Sequence, residues 1–93
     1  MNLRELAEAL AELRRGAAEL DVEATRLQRL ADDRYADSAV LYGGGSSTFV
    51  RSIDTADEYA REARVLRAEA ASAWALVAET ERLNPSVVGM KVR

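Results

Sequence analysis

The chain has 93 residues, with 13 basic against 16 acidic side chains and a formal net charge of −3, so it makes one small domain in which a single core barely suffices. It contains no cysteine and no histidine, which removes disulfides, thiolate chemistry, the commonest metal ligand and the commonest general base. The mixed, mildly acidic charge gives nucleic acid no electrostatic footprint, and no apolar run approaches the roughly 20 residues of a membrane span.

The absence of cysteine fits a reduced cytoplasmic setting. The start MNLRELAEAL is charged from Arg4 onward and lacks the pattern of a signal peptide. Abundant alanine, and arginine in place of lysine everywhere but Lys91, suggest a GC-rich genome. The expectation is a soluble bacterial or bacteriophage protein, in the cytoplasm, or in the host cytoplasm or virion if phage-encoded.

The first element carries a heptad repeat. Leu6, Leu13, Leu20 and Leu27 form one row, and Leu3, Leu10, Ala17, Ala24 and Ala31 the other; these are the d and a positions of a coiled-coil-like seam. Asn2 with Glu5 has the form of a capping box, and Met1 against Leu6 that of a hydrophobic staple. Gly16 is a candidate break, costing about 1 kcal/mol relative to alanine in a helix. The repeat keeps its phase across it, so the pattern predicts one helix over about residues 3–36.

The stretch VLYGGGSSTFV, Val40 to Val50, follows. It is no phosphate-binding loop, because the P-loop pattern G-x-x-x-x-G-K-[ST] is not met and the only lysine is Lys91. Val40-Leu41-Tyr42 and Thr48-Phe49-Val50 have the β-branched and aromatic composition of strands. Gly43, Gly44, Gly45, Ser46 and Ser47 between them tolerate turn conformations. The reading is a short β-hairpin over about residues 40–51, with a coil loop as the alternative. Tyr35 and Tyr59 are the side chains such a ribbon would pack on.

The second helix is expected over about residues 54–83. Thr55-Ala-Asp-Glu58 reads as a capping box, with Asp54 as an alternative N-cap and Asp57 and Glu58 suited to the helix dipole. Ala56, Tyr59, Ala63, Leu66, Ala70, Ala73 and Val77 form its stripe, and Asn84-Pro85 ends it. The remainder, NPSVVGMKVR, is a tail over 84–93 beyond a helical domain over about residues 1–83. Its valines suit either an added strand on a partner or a frayed terminus.

The fold class is therefore mainly α: an antiparallel two-helix hairpin with a β-hairpin at its connection. The order V-L-Y, glycine turn, S-x-T-F, then S-I-D opening a helix, over Val40 to Asp54, resembles the gpW-type family of small bacteriophage head-to-tail joining proteins. That resemblance implies two helices joined by a β-hairpin and assembly on the capsid neck. Tyr42-Gly43-Gly44 at the middle of a helical hairpin is also similar to the W-x-G class of type VII secretion substrates. There tryptophan stands where Tyr42 does, and a tyrosine signal after the second helix has no counterpart here.

Asp32, Asp33, Asp37, Asp54, Asp57 and Glu58 gather near the turn end, and carboxylates can hold hard cations. They also read as a solvated helix end and a capping group, so no metal site, cofactor or catalytic residue is expected. Trp74 lies just off the stripe of the second helix. With Leu3, Leu10, Leu76 and Leu83 it is the expected protein interface, because exposed apolar patches and aromatic anchors mark such surfaces. The expected function is a non-enzymatic assembly subunit working through protein contacts, self-association included, in a bacteriophage head-to-tail or virion component. The alternatives are a small adaptor or inhibitor that binds one host protein, and a W-x-G-like secreted hairpin. No nucleic-acid or membrane partner is expected.

Overall fold

The computed structural model describes residues 1–41 and 46–90. Two helices, α1 (Leu3–Leu41) and α2 (Ser47–Leu83), run antiparallel, and a 3₁₀ turn (Pro85–Val87) follows. At 1.5 Å per residue the 39 residues of α1 span about 58 Å, close to the longest dimension of a molecule measuring 61 × 21 × 15 Å. The fold is one helix thick.

Cross-pairs fix the direction. Arg14 bonds Glu81, Asp21 bonds Trp74, Thr25 bonds Arg67 and Ser38 bonds Ser52, so rising numbers in α1 meet falling numbers in α2. The seam is the heptad row. Leu10, Ala17, Ala24, Ala31 and Ser38 are buried on α1, and Ala56, Ala63, Ala70 and Val77 on α2. Most of these side chains are a single methyl, which allows the backbones to approach but leaves little apolar volume. Among the larger buried groups, Leu10 and Val77 gather at the open end with Ala7 and Val87, backed by Leu6 and Leu13, while Leu27 is buried farther along α1.

Local signals set two of the helix limits. Asn2 Oδ1 accepts from the Glu5 backbone amide at 2.8 Å while the Asn2 side-chain Nδ2 donates to Glu5 Oε1, so Asn2 caps α1, with side chains in place of the backbone arm of a capping box. Met1 is 87% exposed, so the staple does not. α1 passes through Gly16 unbroken. α2 ends at Leu83, where the Asn84 side chain donates to the Thr80 carbonyl at 2.9 Å and Pro85 has no amide to continue the ladder.

The expected β-hairpin is not present among the described residues. Val40 and Leu41 are the last turn of α1, and Phe49 to Arg51 belong to the first turns of α2. Tyr42, Gly43, Gly44 and Gly45 lie outside the described residues. The cause is a competition between weak preferences. A lone two-stranded ribbon is marginal in water, and β-branched residues cost only a few tenths of a kcal/mol in a helix. A longer helix satisfies each amide locally and extends the seam. Ser38 and Ser52 then meet in the interior, and Ser46 accepts from the Phe49 amide at 3.0 Å as the N-cap.

The capping roles expected of Asp54 and Thr55 fall with the hairpin. Both sit inside α2, where Thr55 Oγ1 donates to the Arg51 carbonyl at 3.1 Å. The tail also folds over its described residues, 84–90. Val87, one of the valines offered to a partner strand, is buried against Leu10 and Val77, and Gly89 at φ 85° turns the chain beyond it.

Candidate protein-interaction surface

An antiparallel pair of thin helices has two broad faces, and the seven-residue spacing sorts side chains between them. One face carries the Arg14–Glu81 ion pair, the indole N–H of Trp74 donating to Asp21 Oδ2 at 2.9 Å, and Tyr35 donating to Asp57. The other carries the half-buried leucine row of α1. There Ala9, Leu13, Gly16 and Leu20 of α1 and Ala73 of α2 line a shallow open groove of about 750 Å³, with Glu12 and Glu19 at its edge. Leu76 and Leu83, seven apart on α2, are 55% and 63% exposed and extend the same face toward the open end.

The five residues expected at an interface are thus separated. Leu10 is 3% exposed and packs inside the hairpin, out of reach of any partner. Trp74 is 39% exposed with its one polar atom bonded within the chain. It stands two positions from Leu76, about 200° around the helix, so it covers the opposite flank. Leu3, Leu76 and Leu83 remain exposed. The groove residues Ala9, Gly16 and Ala73 were missed, because small residues in a helix carry no signal of what lies beside them. The one available clue was Gly16, a helix-weakening residue that the helix tolerates.

The acidic residues near the turn do not converge. Asp32 accepts from Gln28 at 2.9 Å, and Asp57 from Tyr35. Among the described residues no three carboxylates are placed to share an ion. The resolved pKa shifts are those of surface pairs. Glu23 and Glu79 are held below the usual carboxylate range by hydrogen bonds from Arg26 and Arg82. The Tyr35 phenol is raised, first by its bond to Asp57. Such shifts arise from ordinary pairing. No described helix is long and apolar enough to cross a membrane. No family model, curated protein or solved structure matches the chain.

Proposed function

We propose that this chain works without catalysis, as an assembly or adaptor subunit that holds other protein surfaces along its helical flank. The observation that carries the reading is the apolar side chains left outside the seam, Leu76 and Leu83 above all. The shape supports it. The accessible surface is 6471 Å², whereas a compact monomer of 10.2 kDa exposes about 5,300 Å². The excess exceeds the roughly 800 Å² that each partner buries in a standard interface.

Within this mode a bacteriophage virion component and a host-directed adaptor are both proposals. The strand–turn–strand order behind the gpW-type resemblance is helical on both sides among the described residues. The assembly reading therefore rests on shape and exposed surface. A tagged chain expressed at native level in its source, crosslinked and purified, tests it. A stoichiometric protein complex or homo-oligomer is expected, lost when Leu76 and Leu83 are both replaced by Glu. A wild-type chain that stays monomeric and alone throughout overturns the reading.

A further inference from the structure

We propose that the groove along α1 receives one amphipathic helix from a partner, with a leucine-type apolar stripe flanked by lysines or arginines. The inference rests on the protein-contact reading above and names the chemistry of the partner. Three observations carry it: the shape of the groove, an unexplained glycine, and the distribution of charge.

The groove runs from Ala9 to Leu20, twelve residues, whose eleven steps span about 17 Å and three helical turns. Its lining comes from α1, with Ala73 the contribution of α2, and is apolar apart from Glu12 and Glu19. An amphipathic helix fills such a space with side chains at i, i+4, i+7 and i+11. The result is a three-helix bundle.

Gly16 stands in the middle of this groove and weakens α1 by about 1 kcal/mol relative to alanine. Nothing in the hairpin requires it. A Cβ built there meets no atom within 4 Å, and its φ is not positive. A backbone without a side chain lets a second backbone come close. Among the described residues nothing uses that approach, and a docked helix does.

Charge selects the partner. On the groove face Glu12, Glu23 and Glu79 are satisfied by neighbouring arginines. By the heptad spacing Glu19, Asp33, Asp37, Glu58, Glu62 and Glu69 fall on the same face and form no ion pair among the described residues. Arg34 and Arg51 also stand there without one, and Arg29 lines a hollow with Asp33. Of the six, Glu19 lines the groove itself and the others continue the acidic face toward the connection. The opposite face is balanced, with Arg29, Arg61, Arg64 and Arg67 against Asp21, Asp32, Asp54 and Asp57. A second copy seated face to face would set these carboxylates against their own kind. A cationic helix meets complementary potential and is steered toward the groove. The carboxylates closest to it are Glu12 and Glu19 at its edge.

The test uses the full chain and two labelled 18-residue peptides. Both carry leucine at i, i+4, i+7 and i+11, with lysine elsewhere in one and glutamate in the other. Anisotropy should show the lysine peptide binding at least tenfold tighter, with affinity falling between 50 and 300 mM salt as screening shortens. Amide shift changes should centre on Ala9, Gly16, Leu20 and Ala73. Charge reversal by Glu19→Lys with Glu69→Lys should weaken binding at least tenfold. Gly16→Leu should abolish it while helicity by circular dichroism is unchanged, a result that charge attraction alone would not give.

Equal binding of the two peptides, or shifts centred on Trp74 and Val22, overturns the proposal. So does a dimer that Gly16→Leu dissociates, since the occupant is then a second copy. A chain that captures proteins the lysine peptide cannot displace refutes this inference and leaves the wider reading standing. A chain that binds neither itself nor any protein refutes both.

Discussion

Gly16→Ala should stabilise the protein, and the neighbouring case of Gly89→Ala should do the reverse. Space does not distinguish the two sites, because a Cβ at either glycine meets nothing within 4 Å. Backbone conformation does. Gly16 lies within α1, where alanine is favoured by about 0.8–1 kcal/mol and also narrows the unfolded ensemble. Gly89 sits at φ 85°, where a side chain costs about 1–2 kcal/mol. For a domain of this size 1 kcal/mol corresponds to roughly 4–8 °C in the melting midpoint. Gly16→Ala should therefore melt several degrees higher when followed at 222 nm. Its urea midpoint should rise with an unchanged slope, the mark of a stability change without altered compactness. Gly89→Ala should lower the midpoint, or release the tail and speed exchange of the Val87 amide. A Gly16→Ala chain that melts at or below the wild-type temperature would refute the unbroken helix. It would mean that α1 turns at this position and that the heptad phase is preserved across a break.

Three further outcomes follow from the connection and the surface pairs. Ser38→Ala should cost about 1 kcal/mol by leaving Ser52 with an unpaired hydroxyl inside the seam, while Ser38→Ala with Ser52→Ala should recover most of the loss; urea midpoints of the single and double variants measure the coupling. Ser46→Ala should cost about 1 kcal/mol by removing the cap on the Phe49 amide, with faster amide exchange at Ser47 to Phe49; if 47–51 formed a strand, this loss would not be helical. The raised Tyr35 phenol contributes stability that is fully present below its ordinary pKa of about 10 and is lost as pH climbs through the higher folded value. Stability of the wild type should therefore fall more steeply above that range than stability of Tyr35→Phe, and the 295 nm titration should show one phenol ionising late.

The seam, the unbroken first helix and the stop at Asn84-Pro85 were legible in the sequence. Each is written in local spacing: rows seven apart at Leu10, Ala17, Ala24 and Ala31, a phase that survives Gly16, and a proline without an amide. The connection was not. Val40, Leu41 and Phe49 to Arg51 carry preferences worth only tenths of a kcal/mol, and these were outweighed once Ser38 and Ser52, fourteen positions apart, met in the interior. The fates of Trp74 and Val87 were equally out of reach. The hydrogen bond of Trp74 and the burial of Val87 depend on Asp21 and Leu10, which periodicity places on a neighbouring helix without giving its offset. The groove has the same origin. A helix sequence states which residues share a face, but whether that face is covered depends on how far the second helix slides and rotates against it. That geometry was decided by the packing of small residues along the seam.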